Sequence, residues 1–170
     1  MSGARLLQSD ISILGPALIA SRQRAARLAV ESCPDRMEVT DVKGLQTIPS
    51  ESSVEQTTDN LIGNIKDQGW HLFARIDHAA QAKGKGLELR PTEVVLFGNP
   101  EIGTLLMQDR QTAAIDLPVK ALVWQDANDQ VFITYNTMPW LKDRHALTDD
   151  ATLDSIARLV EKVCRDAARS

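Results

Sequence analysis

The sequence predicts an α/β protein of the α+β type, a two-layer structure in which helices pack against a mixed sheet of about five strands. Two observations carry this prediction. Patterns typical of strands and of helices alternate along residues 39–168, and at residues 90–107 a continuous apolar strand runs directly into a capped helix. The length of 170 residues suits a single domain that buries a core of its own.

The segment that organises the prediction is RPTEVVLFGNPEIGTLLM at residues 90–107. Its apolar run VVLF at residues 94–97 predicts an interior strand that is covered on both faces. Asn99 is the predicted N-cap of the helix that follows, Pro100 suits the first helical position, and Glu101 complements the positive end of the helix dipole. The next apolar residues recur at helical spacing, so this helix can lie back on the sheet.

Three elements are predicted before this segment. Residues 39–48 carry spaced apolar residues that indicate a first strand. Ser52 and Glu55 fit the S-x-x-E capping box at the start of a helix, and Gly69 occupies the position where a helix often ends in a left-handed residue. Residues 70–76 carry apolar residues at every second position, with His71, Phe73 and Arg75 on the other face, which is typical of a half-buried strand.

The remaining elements follow from shorter patterns. Residues 77–83 indicate a short helix between the second and third strands, with Asp77 as its predicted N-cap. Residues 119–125 and 131–135 are apolar runs joined by DANDQ, which predicts an antiparallel hairpin. A short helix is expected from residues 136–141, and an apolar stripe over residues 150–168 predicts the last helix.

Composition excludes several classes of protein. Cys33 and Cys164 are far apart, without a CxxC motif, so neither a disulfide framework nor a zinc finger is indicated, and a reducing cytoplasm fits best. The net charge of -4 argues against nucleic acid as a partner, because proteins that bind phosphates collect basic surfaces. No apolar run approaches the roughly 20 residues that span a bilayer, so no transmembrane segment is predicted.

Residues 1–36 differ from the rest of the chain. Four arginines against one aspartate give residues 1–30 a charge of +3, so the remainder carries -7. Residues 16–31 are interpreted as a basic amphipathic helix or a loose arm, and residues 11–20 make a poor signal peptide because a glycine and a proline interrupt them. Alternatively, Met37 is the true start of the protein.

Three stretches resemble a known family. IDHAAQA at residues 76–82, the organising segment at 90–107 and LPVKALVWQD at 117–126 are similar to the bacterial and archaeal family called domain of unknown function 302 (DUF302). The likeness extends over roughly residues 40–147, so residues 37–170 are expected to form one such domain. The resemblance implies a compact two-layer α/β domain and a homodimer, and it implies no activity or cofactor. Because many relatives carry export signals before the domain, a periplasmic location stays open.

Asp77 and His78 are the first candidate site residues. A histidine beside a carboxylate can be held in one tautomer and act as a general base or metal ligand, and the matching family motif has a histidine here. The alternative is a residue at a helix start that only satisfies a neighbouring carbonyl. The three histidines do not predict a metal site, since His71 and His78 differ in strand parity and His145 lies in a distant loop.

Asn99 and Thr104 are the second pair of candidates. A helix start can bind anions through free amides, but Pro100 removes a donor and Glu101 adds negative charge, so the helix cap explains this turn without an anion. Thr104 lies one turn further along and can face the same hollow, or its hydroxyl can bond a helix carbonyl.

Three hypotheses of function follow. The first is a small dimeric domain that binds a small molecule or a partner protein. The second is an enzyme of unassigned class with His78 as general base or metal ligand, which requires His78, Asn99 and Thr104 to converge in one cleft. The third is an interaction protein whose basic arm, residues 1–36, contacts an acidic surface.

Overall fold

The computed structural model describes residues 42–170. Within this part of the chain there are five strands, five α-helices and one 3-10 helix. The strands are β1 (Leu45–Ser50), β2 (His71–Asp77), β3 (Thr92–Gly98), β4 (Val119–Gln125) and β5 (Val131–Asn136). The α-helices are α1 (Val54–Asp67), α2 (His78–Lys83), α3 (Pro100–Asp109), α4 (Met138–His145) and α5 (Asp150–Ala168), and the 3-10 helix is Gln111–Ile115.

The five strands form one sheet in the order β1-β5-β4-β3-β2. The α+β class and the number of strands are confirmed, but the prediction of a mixed sheet is wrong, because every neighbouring pair is antiparallel. Strands β2 to β5 reverse direction one after another, so each pairs with the next. Strands β1 and β2 run parallel, but they lie at opposite edges of the sheet, so they never become neighbours.

Helices α1 and α5 pack against each other and against one face of the sheet, which gives the predicted two layers. The core lies between these layers. Its members without solvent exposure include Val95, Phe97, Val123 and Ile133 from the strands and Leu61 and Ile65 from α1.

Strand β3 is an interior strand, as predicted, since it lies between β4 and β2. Its side chains alternate in burial. Val95 and Phe97 are fully buried under the helices, whereas Val94 and Leu96 point to the opposite face and stay partly exposed. The expectation that both faces are covered is therefore wrong within the described residues, because every second residue of β3 keeps contact with solvent.

The predicted helix boundaries are close to the observed ones. Asn99 and Asp77 are N-caps, as expected, and Gly69 adopts a left-handed φ of 72° after α1. The cap of α1 is Ser53 rather than Ser52, because the Ser53 hydroxyl accepts from the Gln56 amide at 3.2 Å. A bulge in β2 between Leu72 and Ala74 also interrupts the predicted alternation.

The predictions for residues 1–36, including the amphipathic helix and the start at Met37, lie outside the described residues. Among residues 42–170 there is no helix with the length and hydropathy needed to cross a bilayer.

Candidate functional site

An apolar cleft of about 330 Å³ opens where β3 ends and α3 begins. Its walls come from segments that are far apart in sequence. Trp70 precedes β2, Ile102 lies on α3, Leu117 and Pro118 precede β4, and Ile156 lies on α5. Trp70 and Ile156 belong to the buried core, so the cleft reaches down to the core from the surface.

Two glycines keep space open in the cleft. Gly98 ends β3, and a Cβ atom placed on it would contact Phe73 at 3.8 Å and Pro118 at 3.9 Å. Gly103 lies in the first turns of α3, and a Cβ atom there would be 4.0 Å from Leu117. Because these are ordinary contact distances, a methyl group fits at either position, but a longer side chain would occupy the cleft itself.

The rim of the cleft is aromatic. The Phe73 side chain is 48% exposed, which is high for a large apolar residue. It lies at the β2 bulge and packs edge-on against the ring of His71, with 4.7 Å between the ring centroids. The bulge therefore turns an aromatic side chain toward the mouth of the cleft, a common use of bulges beside binding sites.

Asn99 and Thr104 are the two candidate residues that line this cleft. The Asn99 carboxamide oxygen accepts hydrogen bonds from the amides of Glu101 at 2.8 Å and Ile102 at 3.4 Å. The Thr104 hydroxyl donates to the carbonyl oxygen of Pro100 at 2.7 Å. These bonds account for Asn99 as a helix cap, and only its amide nitrogen has no partner among residues 42–170.

The C-terminal end of α3 is hydrogen-bonded to Thr148, two residues before α5 begins. The Asp109 carboxylate accepts hydrogen bonds from the backbone amide of Thr148 at 2.6 Å and from the hydroxyl of Thr148 at 3.0 Å. Both bonds lower the pKa of Asp109, and the bond from the backbone amide of Thr148 has the larger effect. Leu106, on the inner side of the same helix, has no solvent exposure. The helix that forms one wall of the cleft is therefore held in place along its length.

Asp77 and His78 lie at the opposite end of β3. Asp77 pairs in register with Glu93, whereas His71, at the other end of β2, pairs with Gly98. Gly98 lies five positions after Glu93, which corresponds to about 17 Å of extended strand. The structure therefore does not bring His78 together with Asn99 and Thr104, and a site that includes all the candidate residues is not formed.

The surroundings of His78 offer few polar partners. The Asp77 side chain accepts from the amide of Ala80 at 2.7 Å, so it caps α2 instead of holding the imidazole. Helix α2 buries none of its residues. Nearby, Arg75 is bound at 2.5 Å to Glu93, and the hydrogen bond with Glu93 raises the pKa of the arginine. Because Arg75 and Glu93 are paired with each other, His78 takes no part in this ion pair.

No group of three or more His, Cys, Asp or Glu side chains is arranged for a metal ion within residues 42–170. Cys164 is buried in α5, and burial raises the pKa of its thiol, which keeps it protonated and unreactive.

One polar cluster has no counterpart in the sequence predictions. His145 is the last residue of α4 rather than part of a loop, and its ring lies between Asp116 at 2.6 Å and Thr112 at 3.3 Å. Arg144 also contacts Asp116, at 2.9 Å. The cluster joins Thr112 of the 3-10 helix and Asp116, directly after it, to the end of α4 across 33 and 29 residues of sequence, and no local pattern could have indicated it.

Comparisons with known proteins agree with this fold. The sequence profile described as "Domain of unknown function DUF302" matches residues 46–163. The crystal structure of an uncharacterized conserved DUF302 protein from Bacillus stearothermophilus superposes with a TM-score of 0.60 at 20% identity, over 75% of this chain and 97% of that one. At this identity the likeness concerns the fold alone.

Two curated relatives carry the name of a channel. "Fluoride-specific ion channel FluC 1" of Brucella suis biovar 1 is 46% identical over 104 residues, which are 61% of this chain and 41% of that protein. "Fluoride-specific ion channel FluC 2" of Brucella melitensis biotype 1 is also 46% identical over 104 residues, or 38% of its length. The chain thus spans about two fifths of the curated relatives it matches.

Since the family profile covers most of the chain, the chain belongs to the DUF302 family.

Proposed function

We propose that residues 37–170 form a binding domain whose cleft holds a small, predominantly apolar molecule, and that residues 1–36 are an appended arm. The observation that carries the proposal is the 330 Å³ cleft, which lies within the range of about 300–1,000 Å³ that is usual for ligand sites. Its walls are mainly apolar and reach the core. A ligand with one hydrogen-bond acceptor would also match the amide nitrogen of Asn99.

Binding suits this cleft better than catalysis. A general base must lie within hydrogen-bond reach of the proton it removes. The polar groups that line the cleft are an amide and a hydroxyl, both of which already take part in the structure of α3. His78 lies about 17 Å away along β3, as estimated from the rise per residue. The proposal therefore assigns no chemical step to the cleft.

The proposal includes a homodimer in the cytoplasm. The dimer is an expectation from the family, and Cys164 as a buried thiol is compatible with a reducing compartment.

A fluorescent probe tests the proposal. N-phenyl-1-naphthylamine is neutral and apolar, and its emission rises when it leaves water. We expect saturable binding to the wild-type chain. Gly103→Leu should weaken this binding by at least about tenfold, because a leucine side chain of four carbons would fill the cleft and displace the probe.

Gly63→Leu is the matched control. Gly63 also lies within a helix, α1, and nothing stands within 4 Å of a Cβ atom placed there. Both variants replace a helical glycine by the same residue, so they share any effect on helix propensity. Equal binding by wild type and both variants, or no saturable binding by the wild type, would contradict the proposal.

A second candidate function rests on the Brucella relatives. Their printed names describe fluoride-specific ion channels, and the similar stretch is less than half of each protein. We infer that a DUF302 domain can work beside a channel protein, so this chain would bind such a protein as a partner. Tagged full-length chain should then retain the detergent-solubilised Brucella suis relative on an affinity resin. Recovery no greater than with an unrelated tagged protein would remove this candidate.

A further inference from the structure

A second cleft, larger than the apolar one, opens at the C-terminal end of α5. It has a volume of about 720 Å³ and lies between the end of β1, the start of β5 and the last turn of α5. We call it the charged cleft, because four of its lining residues carry a charge, whereas none of the described residues that line the apolar cleft does. The two clefts have no described lining residue in common, so they are separate features.

Hydrogen bonds fix the three segments that form the charged cleft. The backbone amide of Glu51, directly after β1, donates to the carbonyl oxygen of Ala168 in α5 at 3.1 Å. The hydroxyl of Ser50 also donates to this carbonyl oxygen, at 3.4 Å. Ser50 in turn pairs in register with Val131, the first residue of β5. The cleft is therefore formed before a ligand binds, which lowers the cost of binding.

The floor of the charged cleft is apolar. Ile48, Val131 and Ala168 line it, and all three belong to the buried core. Because little of each side chain is exposed, the floor can contact the apolar part of a ligand but offers little area for binding by burial alone. Most of the affinity for a ligand must therefore come from the charged walls.

Charges of both signs line these walls. Arg165 lies in the last turn of α5 and Arg169 directly follows the helix, whereas Glu51 and Asp129 lie in the loops after β1 and β4. The Nε atom of Arg165 donates to Glu161, which does not line the cleft, at 2.7 Å, and the two terminal nitrogens of this guanidinium stay available to a ligand. Within residues 42–170, the side chains of Glu51, Asp129 and Arg169 form no ion pair. The opposite charges of the cleft therefore do not neutralise one another.

These walls select the charge of a ligand. A guanidinium binds a carboxylate through two parallel hydrogen bonds, and a carboxylate accepts hydrogen bonds from an ammonium group. A ligand that is only anionic would face both carboxylates of the cleft, and a ligand that is only cationic would face both guanidiniums. A ligand with one charge of each sign is attracted by both kinds of wall residue, so the cleft favours it over either singly charged ligand.

We infer that the charged cleft binds an amphipathic zwitterion, a molecule with an ammonium group, a carboxylate and an apolar part. Free aliphatic amino acids and short apolar peptides share this chemistry. Arg165 and Arg169 bind the carboxylate, Glu51 and Asp129 bind the ammonium group, and the apolar part lies on the floor of the cleft. The volume of about 720 Å³ is within the range of about 300–1,000 Å³ that is usual for ligand sites. Because the two clefts have no described residue in common, this site does not depend on the proposed function.

Isothermal titration calorimetry of the full chain tests this site with L-leucine and with L-leucyl-L-leucine, each up to about 10 mM, at about pH 7 and low salt. We expect saturable binding of at least one of them, and the tighter ligand shows whether a free amino acid or a peptide fits. Each half of leucine is a matched control, since 4-methylpentanoate lacks the ammonium group and 3-methylbutylamine lacks the carboxylate. Both should bind at least about tenfold more weakly than the tighter zwitterion, because each loses one charge-assisted contact.

Two variants test the charged walls separately. Arg169→Gln and Glu51→Gln should each weaken binding of the zwitterion about tenfold, because each removes one charge from the cleft. Glu51→Gln should not weaken binding of 4-methylpentanoate, which has no ammonium group for Glu51 to bind. Arg158→Gln is the control and should bind like the wild type, because Arg158 is exposed on α5 and does not line the cleft. All three side chains are exposed, so the variants should fold like the wild type.

Three results would overturn this site. The first is the absence of saturable binding of both zwitterions to the wild type. The second is binding of either half of leucine as tight as that of the zwitterion. The third is unchanged binding of the zwitterion in both Arg169→Gln and Glu51→Gln. Saturable binding that needs both charges of the ligand, and that both of these variants weaken, would support it.

Discussion

The starts of α2 and α3 are built alike but have different surroundings. Each helix follows a strand directly, and each is capped by a side-chain oxygen, that of Asp77 for α2 and that of Asn99 for α3. Behind Asn99 lies an apolar cleft that reaches the core. Helix α2, in contrast, buries no residue.

The difference shows that a helix cap alone does not create an apolar cleft. Both caps satisfy backbone amides that a helix start leaves without partners. What distinguishes α3 is the space that Gly103 leaves beside Leu117 and the anchoring of the helix through Leu106 and Asp109. A rigid helix over an apolar hollow can exclude water from a ligand, whereas a short exposed helix cannot.

The largest expected effect concerns the anchoring of α3. Leu106→Ala should lower the free energy of unfolding by about 2–5 kcal/mol, because the residue is fully buried and the truncation leaves a cavity. His78→Ala in α2 should change it by less than about 0.5 kcal/mol. Urea denaturation of both variants measures the contrast, and Leu105→Ala, at a residue 49% exposed on α3, is the control. A comparable loss in His78→Ala would contradict the difference between the helices.

The two caps should be alike in stability and different in binding. Asn99→Ala and Asp77→Ala should each cost about 1 kcal/mol, because each removes an acceptor for amides in the first turn. Only Asn99→Ala should weaken binding of N-phenyl-1-naphthylamine, since Asn99 lines the cleft. Thermal unfolding and probe titration of the two variants check this prediction. An equal loss of binding in Asp77→Ala would contradict the proposed difference between the two helix caps.

A smaller change should separate stability from binding within helices. Gly103→Ala and Gly63→Ala should each stabilise the protein by about 0.5–1 kcal/mol, since alanine is the better helix former and both sites accept a Cβ atom. Gly103→Ala should lower the probe affinity severalfold, because its methyl group projects toward the cleft, and Gly63→Ala should not. If both variants bind like the wild type, the cleft does not hold the probe beside Gly103.

The smallest expected effect is a dependence on pH at the far end of α3. Hydrogen bonds from Thr148 lower the pKa of Asp109 in the folded state, so its contribution to stability is complete above the unfolded value of about 3.9 and is lost as the pH falls through the folded value. Asp109→Asn should therefore lose less stability than the wild type between pH 5 and pH 2. The midpoint of urea unfolding, measured across this range, gives the pH dependence of stability for each protein. An identical pH dependence in the wild type and the variant would mean that Asp109 does not anchor the helix.

The order of the elements could be predicted because it depends on local patterns. The run at residues 94–97, the caps at Asp77 and Asn99 and the stripe of the last helix are each contained within a few turns or one strand. The prediction of a mixed sheet is wrong because local patterns do not show which strands become neighbours. The pairing of β1 with β5 joins residues about 90 positions apart.

The candidate site was predicted only in part for the same reason. Asn99 and Thr104 were found from the strand, turn and helix that contain them, and both line the cleft. Trp70, Leu117 and Ile156 complete its walls from three other segments, and no spacing in the sequence connects them. The glycine at residue 103 indicated nothing by itself, because its effect depends on Leu117, which lies 14 residues later.

The most direct test of the central claim is a titration of the methyl-labelled chain with N-phenyl-1-naphthylamine, followed by carbon-detected or proton-detected NMR. We expect the methyl signals of four residues that line the cleft to shift together and to reach a plateau as the probe saturates the protein. These residues are Ile102, Leu117, Val119 and Ile156. Ile76, beside the start of α2, should not shift with them. Shifts confined to Ile76, Val94 and Leu122, on the other face of the sheet, would contradict the account.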